Sequence, residues 1–186
     1  MGSVKVRVLA EQDWQKYRDV RLRSLQDSPA AFATTYAEEQ AQPDAYWRAC
    51  MTQAERLLAV RDGQVQGVVS LDRGDPEDET GDVQDLWVAP EFRNTGVAWA
   101  LVEAATKRAA ELGLRKATYW VSTENGRALA FATNFGFRPT SLRRTVQATS
   151  EEFGDQEIAL VMTLSHDSGS APNPTAPRIV SGPGPS

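Results

Sequence analysis

The residues best able to do chemistry lie close together between Gly81 and Leu112. Two carboxylates, Asp82 and Asp85, stand on a segment of strong β formers, Val83, Leu86, Trp87 and Val88. Pro90 ends that strand, because proline cannot continue a ladder. The loop Arg93-Asn94-Thr95-Gly96-Val97-Ala98 follows. From there Val97, Leu101, Ala105, Ala109 and Leu112 recur at helical spacing and predict one face of a long helix, with Gly113 as its left-handed stop. A helix that begins at a glycine turns unpaired N–H groups and the positive end of its dipole toward the preceding loop. That arrangement suits phosphate or pyrophosphate. Gly96 and Ala98 keep side chains clear, and Arg93 adds a cation. The same residues also fit an ordinary strand–loop–helix connection, and the loop alone does not separate the two. Asp82 and Asp85 are three apart, so a regular strand points them to opposite faces, Asp82 with Leu86 and Val88, Asp85 with Val83 and Trp87. At most one then faces a given cleft unless a bulge intervenes.

The elements that must position this stretch read as follows. Val4, Val6 and Val8 alternate with Lys5 and Arg7, a strand. A helix runs from about Glu11 to Asp27 with Trp14, Tyr17, Leu22 and Leu25 on one face, and Ser28-Pro29 stops it. Arg18 and Arg21 fall within that apolar arc, where they either snorkel or hold an anionic group at a substrate mouth. Ala30–Gln42 reads as a loop or short irregular helix, and Pro43-Asp44 opens a helix carrying Tyr46, Trp47 and Met51. Leu57–Val60 and Val65–Leu71 form a hairpin around Asp62-Gly63. Asp72–Thr80 is a solvated acidic loop without EF-hand spacing. Ala117–Val121 is a strand, and Ser122-Thr123-Glu124-Asn125 caps a helix ending at Phe135 and Gly136. Phe137–Gln147 and Glu157–Leu164 are the last strands. The tail from Ser165 to Ser186, rich in Ser, Pro, Gly and Ala, is expected to be disordered or draped on the surface, which leaves one domain over residues 1–164.

Composition closes off several functions. With 186 residues, 41% of them hydrophobic, the chain can bury one sizeable core. No apolar run reaches bilayer length, and the start MGSVKVRV lacks a signal-peptide core, so the expectation is a cytoplasmic protein with no membrane contact. Cys50 and His166 are the only cysteine and histidine, which argues against a disulfide, a metal site or a Ser-His-Asp arrangement. A net charge of −5 argues against nucleic-acid binding.

Several motifs in order are more specific than one glycine loop. Val88-Ala89-Pro90, then Arg93-x-x-Gly96-x-Ala98, then Asn125, Ala128, Gly136 and Phe137 together resemble the GNAT superfamily of N-acetyltransferases, over roughly Val4 to Leu164. The resemblance implies an α/β (α+β) fold, a mixed, largely antiparallel sheet of about seven strands with helices on both faces, splayed where acetyl-CoA enters. It implies that Arg93, Asn94, Thr95, Gly96, Val97, Ala98 and Trp99 surround the pyrophosphate. The backbone of Leu86, Trp87 and Val88 would pair with the pantetheine arm, with Asn125 and Phe131 near it. Phe32, Tyr36, Glu39 and Trp120 would line the acceptor side.

The implied reaction moves an acetyl group from acetyl-CoA, as co-substrate, to a primary amine of a small molecule or a protein, which an acidic surface would suit. The amine must first lose a proton, and Asp82 or Asp85 is the candidate base. A backbone N–H near Val88 would stabilise the thioester oxygen. One departure stands out: the family usually carries a tyrosine seven residues after the asparagine to protonate the thiolate, and this chain has Ala132 there. Tyr119, Ser122, Thr123 or water would then substitute. The alternative is a CoA-binding sensor or interaction module with weakened catalysis. A phosphate-binding protein without CoA is disfavoured, since Walker spacing is missing. Self-pairing as a homodimer is left open.

Overall fold

The computed structural model describes residues 2–145 and 156–165. The end of the strand expected to reach Gln147, and the tail beyond Ser165, lie outside them. Seven strands form one sheet: β1 (Lys5–Val8), β2 (Glu55–Arg61), β3 (Gln64–Asp72), β4 (Thr80–Val88), β5 (Lys116–Ser122), β6 (Arg138–Thr145) and β7 (Gln156–Thr163), in the order β1-β2-β3-β4-β5-β7-β6. Every neighbouring pair is antiparallel except β4 and β5. The helices are α1 (Trp14–Asp27), α2 (Tyr36–Gln40), α3 (Asp44–Gln53), α4 (Val97–Glu111) and α5 (Gly126–Phe135). No helix among the described residues is long and apolar enough to cross a membrane.

The local rules that build these elements are visible in them. The Asp62-Gly63 turn takes positive φ at both residues, as a tight hairpin requires. The Ala30–Gln42 stretch contains the short α2, started by a capping box in which Thr35 Oγ1 accepts from Glu38 N–H and the Glu38 carboxylate accepts from Thr35 N–H. Each sheet face is covered separately. Under α4 and α5 lies a core that includes Leu57, Val69, Val83, Leu101, Ala105 and Phe137. Under α1 and α3 lies a second, with Trp14, Tyr17, Trp47, Leu58, Val68 and Trp87.

Two features of β4 matter for everything that follows. Its parallel pairing with β5 covers only Thr80↔Lys116 to Val83↔Tyr119, although β4 runs on to Val88 and β5 to Ser122. The strands therefore part beyond that point, as the family resemblance implies. The second feature is a bulge. Val68 of β3 faces Trp87, yet Ser70 faces Gln84, so β4 carries one residue more than its partner, and Asp85 there has φ +55°. An extra residue inverts the alternation. Val83 lies in the α4 core while Trp87 lies in the α1 core, and Leu86 and Val88 pack on the α4 side. The strict alternation expected from sequence is corrected accordingly: Leu86 and Val88 do not share the face of Asp82, and Asp82 and Asp85 both point to the α1 side.

The crossing of α4 over this region leaves no spare room. A Cβ on Gly67 would lie 2.6 Å from the Trp87 carbonyl oxygen and 3.0 Å from Leu101 Cδ1. Gly67→Ala is expected to destabilise the fold by about 1–3 kcal/mol through overpacking. Urea unfolding measures this, and an unshifted midpoint would mean that the strands absorb the methyl group.

Candidate active site

At the head of α4, Gly96 is the N-cap with φ +87°, and no side chain caps the helix. The first helical bond is from Ala100 N–H to Gly96 O at 3.1 Å, so the N–H groups of Val97, Ala98 and Trp99 precede any helical acceptor. Asn94 is also left-handed, at φ +62°, and nothing lies within 4 Å of where a Gly96 Cβ would be. The start of the helix is thus an open main-chain cradle that fits a pyrophosphate. Among the loop residues, Asn94 and Thr95 are exposed, Val97 is buried in the core, and Ala98 is half-buried. Arg93 is tied down at this loop: its Nε donates to Val88 O at 3.0 Å and its guanidinium pairs with Asp27. Asp27 also accepts from Trp87 Nε1 at 2.8 Å. Burial works against the Asp27 charge, but the hydrogen bonds from Ser28, Trp87 and Arg93 outweigh it and hold the carboxyl below its ordinary range. Arg93 therefore straps the loop to the end of α1.

An aromatic wall flanks this cradle. Trp99 is 45% exposed, with its ring centroid 4.7 Å from Phe135 and 6.4 Å from Phe131, so α4 and α5 meet there through packed rings. Asn125 caps α5, its Oδ1 accepting from Ala128 N–H at 3.0 Å. Ala132 is fully buried, so a tyrosine side chain has no ready space at that position.

Where β4 and β5 part, the strand main chain is turned into the gap. Ala89 N–H donates to Gln66 O on β3, so by alternation Trp87 and Ala89 address β3 while Leu86 and Val88 address the gap. Tyr119 is the last β5 residue paired with β4. Its ring packs 5.9 Å from Phe137, and burial, with some help from Glu157, pushes its phenol up to about 12. Asp82 stands on the other face, half-buried and without a hydrogen bond among the described residues. Burial raises its carboxyl above the ordinary aspartate value of 3.8; Arg144 opposes this and Asp72 adds to it. Asp82 lines a depression of about 540 Å³ together with Thr118, Trp120, Thr140 and Leu142. The Arg144 guanidinium lies 4.3 Å from the Trp120 ring centroid.

Asp85 is differently placed. Arg21 Nη1 donates to its Oδ1 at 3.3 Å, and Arg56 Nη1 lies 3.6 Å from its Oδ2. Arg21 also holds Glu39, Nη2 donating to Oε1 at 2.8 Å and Nε to Oε2 at 3.0 Å and to Oε1 at 3.3 Å, and its guanidinium covers the Phe32 ring at 4.5 Å. Arg21 is therefore neither snorkelling nor free for a substrate anion, and Glu39, 4% exposed, is engaged with it. Arg56 donates to Ser70 Oγ at 2.6 Å and to Cys50 O, and sits 4.5 Å over Tyr17. Phe32 and Tyr36 are half-buried on the same side. The sequence reading singles out none of Arg56, Thr118 and Arg144. An arginine beside the apolar run Leu57-Leu58-Ala59 is the available signal for the first; the other two carry none.

The acetyltransferase (GNAT) family model matches residues 19–137, more than half of the chain. An uncharacterized N-acetyltransferase of Mycobacterium bovis is 32% identical over 87 residues, covering 47% of this chain and 54% of that protein. One from Archaeoglobus fulgidus is 33% identical over 79 residues, 40% of this chain and 54% of that one. The chain thus spans about half the length of these curated relatives. Among solved structures, a putative acetyltransferase from Salmonella typhimurium with its cofactor acetyl-CoA is similar at TM-score 0.65 and 14% identity, over 93% of this chain and 99% of that one. A mutant form of the spermidine N-acetyltransferase of Vibrio cholerae is similar at TM-score 0.66 and 16% identity, over 87% and 94%. At these identities the structural likeness bears on fold.

The left-handed Gly96 generates a specific expectation. Because space around it is open, the cost of a side chain there is conformational and not steric. Gly96→Ala should lower stability by about 1–2 kcal/mol. The urea midpoint reads this, and an unchanged value would mean that the loop re-forms with negative φ.

Proposed function

Because the chain belongs to the acetyltransferase (GNAT) family, we propose that it transfers an acetyl group from acetyl-CoA to a primary amine of a small molecule or protein. The observation that carries this reading is the early end of β4–β5 pairing beside the uncapped start of α4. The N–H groups of Val97–Trp99 take the pyrophosphate, and the gap-facing main chain of Leu86 and Val88 takes the pantetheine arm, aligning it as an added strand would. The Val88 N–H donates to the thioester oxygen as negative charge develops on it.

Asp82 is the base of choice. It has no hydrogen-bond partner among the described residues, it lies on the α1 side next to the fork, and burial raises its proton affinity toward what deprotonating an ammonium needs. The amine nitrogen, freed of its proton, attacks the carbonyl carbon; the C–S bond of the tetrahedral adduct then breaks to release CoA as its thiolate, and the surplus nitrogen proton passes to that thiolate through solvent, giving the amide and CoA thiol. Tyr119 takes the place of the phenol missing at Ala132. With its own proton held up to about 12, it does not surrender it to a thiolate whose conjugate acid sits at about 8.5; it stabilises the departing sulfur by donating a hydrogen bond. Trp120, Phe32 and Tyr36 form the walls on the acceptor side. The buried Ala132 keeps a second reading in view, a CoA-binding module with weakened catalysis.

Thiol release from acetyl-CoA across a panel of amines separates the two readings: turnover on an acceptor supports the transferase, and tight acetyl-CoA binding without release on any acceptor supports the module. Within the active protein, Tyr119→Phe should lower kcat about tenfold and leave the acetyl-CoA KM within about twofold. No change in kcat would remove Tyr119 from the mechanism.

Asp82 makes a paired prediction. Its carboxyl binds a proton more readily folded than unfolded, so its contribution to stability falls as pH rises through the interval above 3.8. Asp82→Asn should therefore raise Tm at neutral pH while lowering kcat/KM by about 10²-fold or more. The acidic limb of the parent's kcat/KM profile should vanish in the variant. A variant that keeps that limb, or the parent's rate, identifies another base.

A further inference from the structure

Resting on that placement of the acyl group at the fork, we infer that Arg21 and Arg56 are positioning residues that hold the β4 bulge, and through it aim the Val88 N–H donor, without touching the substrate. Four observations carry this. Asp85 is a non-glycine residue at φ +55°, a conformation that aspartate tolerates but does not prefer. Its carboxylate is turned toward two guanidiniums whose side chains are 11% and 8% exposed. Those guanidiniums are themselves fixed, Arg21 by Glu39 from α2 and Arg56 by Ser70, its register partner on β3 and the residue opposite Gln84 at the bulge. The bulge, finally, decides which of Leu86, Trp87 and Val88 addresses the gap. A regular β4 would invert that polarity and turn the Val88 N–H to β3.

The cluster contains two buried cations and two carboxylates, and Asp85 is the member that belongs to the catalytic strand. Its pairing with both arginines also separates it from Asp82: Asp85 acts through the backbone it holds and not as a proton acceptor. Glycine makes these roles separable, because it adopts positive φ without a Cβ penalty whereas alanine does not, and both remove the carboxylate.

The test compares Asp85→Ala, Asp85→Gly, Arg56→Met and Asp85→Gly combined with Arg56→Met. Two readouts are used: kcat on a turned-over amine, and the carbonyl 13C shift of bound acetyl-CoA labelled at C1 of the acetyl group. Asp85→Ala and Arg56→Met should each lower kcat about tenfold or more and move the carbonyl signal toward that of free acetyl-CoA, as expected when an oxyanion donor is misaimed. Asp85→Gly should recover most of the rate and the bound signal, and adding Arg56→Met to it should cost little further. Loss of the carboxylate lowers Tm in both Asp85 variants, so their difference reports the backbone. Equal impairment in Asp85→Ala and Asp85→Gly would show that the carboxylate itself is required and overturn the inference. So would a bound signal and rate unchanged in Asp85→Ala. Because the 13C shift needs no acceptor, a protein that acetylates no amine fails the proposed function while this inference is still decided by the spectrum.

Discussion

One surplus residue in β4 governs this architecture. A strand that pairs in strict alternation on both sides would keep β4 and β5 zipped and would bury its donors in the sheet. The surplus residue at Asp85 rotates the strand, so that side chains on either side of it belong to different cores. Val83 anchors the strand under α4, Trp87 re-anchors it under α1, and the main chain between and beyond them is released from β5. The open gap and the uncapped helix start then lie beside each other because only Ala89–Gly96 separates β4 from α4.

The electrostatics of the two sheet faces divide the work. On the α1 side, charge is concentrated and mostly matched: Arg21 and Arg56 against Glu39 and Asp85, and Arg93 against Asp27. Burying charges such as Arg21, Glu39 and Arg56 does not add much stability, and their use lies in fixing geometry. Asp82 and its register partner Asp72 have no guanidinium in contact among the described residues, and burial acts on Asp82. On the α4 side the gap is lined by rings and main-chain groups, with Tyr119 at its base. In the proposed reaction, proton removal and acyl binding thus fall to opposite sides of one strand.

Much of this was readable in the chain. The long helix after Gly96, the Asp62-Gly63 hairpin and the Asn125 cap follow from local rules that depend on a few neighbouring residues. The left-handed, uncapped helix start at Gly96 is legible for the same reason. What could not be read is long-range. Arg21 and Glu39 are joined by the packing of α1 on α2, and Arg56 reaches Ser70 and Asp85 across three strands. The bulge leaves only a faint mark, an aspartate, poor in strands and tolerant of positive φ, within a run of strong strand formers. A period-two reading assumes an uninterrupted ladder, and it groups Leu86 and Val88 with Asp82, from which the bulge separates them. The use of Arg93 as a strap also depended on where α1 ended in space, and not on its place in the motif.

The matched charges near the bulge restrict how this chain can drift. Loss of Arg21 alone leaves the buried Glu39 without a cation, and loss of Asp85 alone leaves the buried Arg56 without a carboxylate, whereas an apolar exchange of Arg21 with Glu39, or of Arg56 with Asp85, leaves a matched pair behind. Divergence at these four positions should therefore proceed by compensated double steps, and descendants of this chain would carry either the full quartet or a greasy substitute for a complete pair.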